Sequence, residues 1–475
     1  MTDIGISPRQ AVPRVDSTRL VLILVCASQF MVILDSSIVN VALPTIQHDL
    51  GFSASGIAWV VNGYLLTFGG FMLLGGRAAD LFGQRRVLIG GLALFTAASL
   101  VSGLAMAPGV LVAARVTQGL GAALLAPATV AVLHTRFTEP NARARAFGAW
   151  SASGGVGGMA GALAGGAITT GLSWRWIFLI NVPIGAILIA LAWMALSGKQ
   201  IRNKATLDLA GAITGTAGLA LLILGVMRTA DHSWASPSVL GAMGAGVLLL
   251  VIFTVVQARF AAQPLMPLRL FGIRRVALGG GMLLLFGGIA VAMWYFTSLF
   301  LQNVLGYDAF HAGLGQTPAA VMFLVIARVA AALLPRIGAR AVLLAGCACL
   351  VVGFVWLAQA HAGSAYLTAV LGPTLVIAIG IGLTFPTLMA TTTAAVSDSD
   401  AGIVGGIAGT ANQSGGSIGL AALAAVAAAG TAHESGQSPA VGLATGYSVV
   451  FLLAAGLGVA IAIIGLLLPR NHIDS

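Results

Sequence analysis

The sequence predicts an all-α integral membrane protein of fourteen transmembrane helices, arranged as two six-helix bundles with an inserted two-helix hairpin. Three observations carry this. The 475 residues are 59% apolar and 8% charged, with mean hydropathy +1.01, whereas a soluble domain carries about 25% charged residues. No water-facing surface can be built from such a chain, and disordered segments lie at the opposite compositional extreme. The apolar residues fall into runs of about 20, the length that crosses a bilayer as a helix. The basic residues alternate between the loops in the way that cytoplasmic and external loops do.

The runs lie at 20–43, 57–76, 87–106, 109–132, 146–169, 176–196, 207–227, 238–258, 276–301, 312–334, 341–359, 366–391, 402–427 and 446–468. Pro108 marks the one turn between the third and fourth. With the N-terminus inside, the cytoplasmic segments hold 19 of the 23 basic residues, from Arg9, Arg14 and Arg19 to Arg336, Arg340 and Arg470. External segments hold Arg175 and Arg228, and Arg115 and Arg328 lie within spans. A missed span would scramble this asymmetry, so the count is even and both termini are cytoplasmic. The net charge of +10 then reflects topology and attraction to anionic lipid heads, not nucleic acid. The first run is too long for a signal-peptide core and reads as a retained span. Cys26, Cys347 and Cys349 sit in apolar runs with no metal-binding spacing. The 21 Arg against 2 Lys, with abundant Ala and Gly, suit a GC-rich bacterium and hence its inner membrane.

The chain echoes itself. Asp80-Leu-Phe-Gly83-Gln-Arg85-Arg-Val87-Leu88 follows the second span, and Pro335-Arg-Ile-Gly338-Ala-Arg340-Ala-Val342-Leu343 follows the tenth, 255 residues on. Parallel duplicated halves are a transporter signature. They divide the chain into a tail (1–19), a six-helix bundle (20–196), the hairpin with its linkers (197–260), a second bundle (261–468) and a tail (469–475).

Asp35 is the only charged residue between Arg19 and Asp49. A carboxylate inside a span costs about 2.5–3.5 kcal/mol on insertion scales and is kept where it has a partner or faces a cavity. Desolvation also suits a carboxyl to carrying a proton. The bland reading is a structural carboxyl bonded to Ser36 or Asn40. Arg115 is the natural partner: by helix rise, Asp35 lies about 12 Å and Arg115 about 10 Å below the external end. Arg115 could instead brace backbone carbonyls. After the second span, Asp80 can accept bonds from Arg85 or from an inner helix N-terminus, with Gly83 forming the turn. Such a latch can open and close as two bundles move.

Gly76-x-x-Ala79-Asp80-x-x-Gly83-x-Arg85-Arg86 resembles the loop signature of the major facilitator superfamily. Leu111-x-x-x-Arg115-x-x-Gln118-Gly119-x-Gly121 resembles that superfamily's fourth-span motif, and the resemblance implicates Arg115 in proton coupling. Leu34-Asp35-x-x-Ile38-Val39-Asn40-Val-Ala-Leu-Pro44 and Trp174-Arg-Trp-Ile-Phe-Leu-Ile-Asn181-Val-Pro183-Ile-Gly185 resemble the fourteen-span drug:proton antiporter branch. The fifth span carries Gly157, Gly161 and Gly165 in one stripe, with Gly154, Gly158, Ala162 and Gly166 beside it. This resembles the antiporter motif, except that Ala162 stands where the motif has Pro. The stripe serves either packing or sliding.

Other candidates have two readings each. Asn412 and Gln413, on the glycine-rich thirteenth span, either line a cavity or bond between helices. Asn40, Tyr64, Trp294 and Tyr295 either line a cavity for hydrophobic or cationic compounds or are core. Arg328 either meets an anionic substrate or snorkels to the interface.

Gly198-Lys199 lacks the rest of a phosphate-binding loop, and no catalytic set is arguable. The resemblance therefore implies a non-enzymatic secondary transporter working by alternating access. It would need no cofactor, export small hydrophobic or cationic drugs against inward protons, and function as a monomer. Uptake by symport, or export of a lipid or metabolite, is the alternative that Ala162 keeps open.

Overall fold

The computed structural model describes residues 17–53, 56–196, 208–229, 232–261, 264–393, 396, 398–432 and 439–468. Residues 1–16 of the predicted N-terminal tail, the C-terminal tail and the 197–207 linker, with Arg9, Arg14, Lys199, Arg202, Lys204 and Arg470, lie outside them. Among the described residues there is no strand. The helices are α1 (Ser17–Leu50), α2 (Ala58–Phe82), α3 (Gln84–Gly103), α4 (Pro108–Arg136), α5 (Pro140–Gly171), α6 (Trp176–Ala195) and α7 (Leu209–Arg228). They continue as α8 (Pro237–Phe260), α9 (Arg274–Val304), α10 (Ala309–Ile337), α11 (Ala339–Leu357), α12 (Leu367–Thr393), α13 (Asp398–Ala432) and α14 (Pro439–Leu466). Thirteen are long and apolar enough to cross a membrane, and the glycine-rich α5, at 32 residues, stands among them as the fourteenth.

Boundaries moved where tertiary contacts extend a helix beyond its apolar run. The first span, expected at 20–43, continues through Pro44 to Leu50. There Asp49 accepts bonds from the Trp174 indole (2.8 Å) and Arg175 (2.8 Å). Arg175 also reaches the Ala105 carbonyl, so this acidic residue ties together the ends of α1, α3 and α6.

We name the two ends of the array after their turns, Gly51 and Gly83. Gly83 (φ 92°) separates α2 from α3, and Gly338 (φ 81°) separates α10 from α11. Both adopt a conformation that side chains disfavour, at the two positions the sequence echo puts in register.

Helices α1–α6 pack among themselves, as do α9–α14, while α7 and α8 pair as a hairpin. The hairpin lies against both groups, because α7 touches α2 and α13. The groups meet at two long seams, α2 with α13 and α5 with α10, and in a shorter contact of α1 with α9.

Towards the Gly51 end they are bonded: Ser298 Oγ to the Asn40 carbonyl (3.3 Å), Gln302 Nε2 to the Val41 carbonyl (3.0 Å), and the Phe310 amide to Thr170 Oγ1 (3.2 Å). Beside them Asp308 caps α10. Its carboxyl is held below the usual range by the His311 main-chain N–H and then by the His311 ring. At mid-depth Thr410 bonds the Gly69 carbonyl (3.1 Å). Towards the Gly83 end both seams splay. A Cβ added at Gly148 of α5 or Gly402 of α13, each on its helix's seam stripe, meets nothing within 4 Å.

The α5 glycines serve two different neighbours. Gly157, Gly161 and Gly165 press on α1 at Phe30, Ser37 and Ile38, within one bundle. Ala162 and Gly166 meet Gly313 and Ala309 of α10, across the seam. A Cβ at Gly161 would stand 2.7 Å from Ser37 Cβ and 2.8 Å from the Leu34 carbonyl. We expect Gly161→Leu to cost about 1–3 kcal/mol by overpacking, read as a lower melting temperature in detergent. Gly148→Ala should leave melting unchanged, and equal shifts in the two variants would contradict the packing described.

Candidate functional site

The chemistry concentrates where α1, α2, α3, α4 and α6 converge. Asp35 and Arg115 are 0% and 1% exposed and in direct contact, Arg115 Nη1 donating to Asp35 Oδ2 at 2.6 Å. The depth expected from helix rise therefore corresponds to an ion pair. Arg115 Nη1 also donates to Gln118 Oε1 (2.7 Å), and its Nε to the Val60 carbonyl (2.9 Å). Its guanidinium lies over the Tyr64 ring, 4.3 Å from the centroid, with Phe178 at 5.7 Å. The cation thus has two aromatic rings beside it in place of water.

The other carboxylate oxygen is equally engaged. Asp35 Oδ1 accepts from Gln118 Nε2 (2.7 Å) and from Asn181 Nδ2 (2.8 Å). Gln118 spends its second amide hydrogen on Ser99 Oγ (2.8 Å), and Ser99 donates on to the Phe95 carbonyl (2.7 Å). Every neighbour bonded to Asp35 is a donor, two amides and a guanidinium. One acceptor stands idle beside it: Asn181 Oδ1 is buried without a partner.

Local sequence explains how these groups arrive. In α4, Gly119 lies against Tyr64 and Gly121 against the Phe95 backbone, where a Cβ would stand 2.7 Å from the Phe95 nitrogen. The two glycines let α4 approach α2 and α3 closely enough for Arg115 and Gln118 to reach across. In α6, Pro183 offers no N–H to the Leu179 carbonyl, and the α-helix is interrupted between Leu179 and Asn181. Asn181 therefore starts a new turn, directed at Asp35.

Other expected residues fall elsewhere. Asp80 pairs with Arg77, three residues earlier (3.7 Å), and not with Arg85. The Gly83 turn sends Arg85 to the far end of α6, where it donates to the Trp193 carbonyl (3.2 Å) and stacks on that indole at 4.5 Å. Arg86 is exposed. Gly76, beside Pro127, is on α2. No bond from Asp80 to the second bundle occurs among the described residues, as the splayed Gly83 end requires.

Of the cavity candidates, Tyr64 is the wall of the arginine site. Tyr295 is core, on a π-helical turn of α9 that also buries Phe296, the two rings meeting edge to face at 5.0 Å. Trp294, on the same turn, is half-buried. Asn40 lies at the α1–α9 contact and Gln413 against Gly69 in the α2–α13 seam. The side-chain oxygens of Asn40 and Asn412 are buried and unpartnered. Arg328 is exposed. Among the described residues no His, Cys, Asp or Glu cluster suits a metal. Sequence reasoning singled out Asn181 only within a motif and passed over Ser99; the signal for Asn181 was the proline two residues later.

The fold matches solved transporters. One described as an auto-inhibited POT family peptide transporter aligns over 96% of this chain and 98% of its own, with TM-score 0.69 and 15% identity. A bacterial homologue of the lysosomal transporter Spinster, in an inward-facing unoccupied conformation, aligns over 95% and 97% with TM-score 0.67 and 17% identity. Curated relatives are nearer in sequence. The chain is 45% identical to the cephamycin export protein of Amycolatopsis lactamdurans, over 85% of this chain and 84% of that one. It is 35% identical to the puromycin resistance protein of Streptomyces alboniger, over 96% and 92%. The family model described as Major Facilitator Superfamily matches residues 25–420, a region that holds every residue of the Asp35 site. The chain is a multi-pass membrane transporter and not an enzyme, and it belongs to the major facilitator superfamily.

Proposed function

We propose that the protein exports small hydrophobic or cationic antibiotics across the bacterial inner membrane in exchange for protons, as a monomer and without a cofactor. The observation that carries this reading is the Asp35 carboxylate, wholly buried and held by three donors from two other helices. A carboxylate inside a span is a functional group by default, and the named relatives export or resist antibiotics. The Gly83 end faces the cytoplasm, as do both termini. In support, Arg175 and Arg228 are the two Arg or Lys side chains at the Gly51 end among the described residues, the asymmetry of the positive-inside rule. The splayed array is then the inward-facing state.

The proton step uses groups already in place. When Asp35 takes a proton, its new O–H needs an acceptor. A half-turn of the Asn181 amide brings the unpartnered Oδ1 to it. The carboxyl then holds Arg115 less firmly, which loosens α1 from α4 and α6. Closure of the Gly83 end completes alternating access by rocking of the two bundles.

The test uses purified full-length protein in liposomes with an imposed pH gradient and an entrapped pH dye. Addition of puromycin, a cephamycin or tetraphenylphosphonium should release protons down the gradient, in proportion to it, for those compounds that are carried. Solute equilibration that ignores the gradient would make the protein a facilitator and remove proton exchange.

A further inference from the structure

The two lateral seams are not equivalent. The α2–α13 seam is backed by the hairpin: Asn62 bonds Met227 Sδ (3.7 Å), and Thr216 lies against Gly70. The α5–α10 seam has no such cover, and Val156, Leu163, Leu314, Val321 and Val325 stand exposed along it. Its contacts run from Gly166 with Ala309, through Ala162 with Gly313, to Gly155 with Leu324. At Gly148, two turns nearer the Gly83 end, the seam is open. One turn beyond Leu324 on α10 comes Arg328, exposed and without an acidic partner among the described residues. It is the only Arg, Lys, Asp or Glu in α10 before Arg336. An arginine that deep in an apolar helix is costly unless an anion or a water defect meets it.

We infer that the splayed half of the α5–α10 seam is a groove that takes single-chain anionic amphiphiles from the adjoining leaflet. Arg328 holds the acidic head, and Leu324, Val321, Val325 and Val156 line the path of the tail. The seam is closed at Gly155 by the Leu324 side chain, so the tail lies along the exposed apolar rows beside it. The hairpin closes the opposite seam, so amphiphiles reach the interior from one side. As a substrate entrance this rests on the export reading, but binding in the groove does not.

The experiment places the full chain in phosphatidylcholine nanodiscs with a diazirine-bearing hexadecanoate, or with the matching hexadecylamine. After irradiation, labelled residues are mapped by mass spectrometry. The carboxylate probe should label 148–156 and 321–328 in preference to the amine. That labelling should fall about tenfold in Arg328→Gln, the scale of one charged contact, and persist in Arg328→Lys. Melting temperatures confirm that both variants are folded. Equal labelling by the two probes, no change in Arg328→Gln, or stronger labelling along α2 and α13 would overturn the inference. Displacement of the probe by phosphatidylglycerol at equal concentration would also overturn it, marking an ordinary boundary-lipid site. Labelling is scored without transport: a protein that binds the probe in the groove yet carries no antibiotic refutes the export reading alone.

Discussion

Asp35→Asn is expected to reduce gradient-driven antibiotic exchange to the level of protein-free liposomes. Asparagine has almost the shape of aspartate and fills the same space, but it leaves the buried Arg115 without its counter-charge and should lower the melting temperature. It cannot take up or release a proton, and the other groups bonded in the site are amides, a hydroxyl and a guanidinium, none of them a carboxyl or an imidazole. No neighbour can substitute as carrier. The asparagine amide must also place a donor where the carboxylate met donors, so exchange is scored per folded protein after a melting measurement. Substrate binding without a gradient should persist, because it needs no proton transfer. Asp35→Glu restores the titratable group but pushes it one methylene into Arg115, Gln118 or Asn181, and should recover exchange only in part. Wild-type exchange by the asparagine variant would exclude Asp35 as the carrier.

How much of this could be read from the sequence follows from how conspicuous each group is. A lone Asp in a 24-residue apolar run stands out, and helix rise is regular enough to place Arg115 at its depth. Gln118, Ser99 and Asn181 do not stand out, because neutral polar side chains are common in spans and their partners depend on helix rotation. Gly83 was legible as a turn, yet its φ of 92° sets where Arg85 points, and that separated Asp80 from the partner expected for it. The α5 glycines were legible as a close-packing surface. Which file meets α1 and which meets α10 is decided by how the two bundles sit together, and no local pattern states that. Tyr64 had two readings, cavity wall or core, and its buried ring covers the Arg115 cation.

Arg115→Met should show how the ion pair divides between stability and mechanism. Breaking a buried pair by removing one partner costs about 3–5 kcal/mol, because the remaining charge keeps its desolvation penalty and loses its compensation. Here the loss leaves Asp35 with the Gln118 and Asn181 amides, and deprives Gln118 Oε1 and the Val60 carbonyl of their donor. A protein of marginal stability does not absorb that easily, so the single variant should give a much lower melting temperature and poor recovery of monodisperse protein. Asp35→Asn combined with Arg115→Met removes both charges. Methionine is flexible enough to fill the space between Tyr64 and Phe178, and the double variant should melt above the Arg115→Met single variant while still exchanging no protons. That ordering is the signature of a coupled pair in a double-mutant cycle. If the two losses simply added, the charges would be stabilised separately by their amide and aromatic neighbours. Protonation of Asp35 would then leave the grip of α4 on α1 unchanged, and the conformational half of the proposed mechanism would need another trigger.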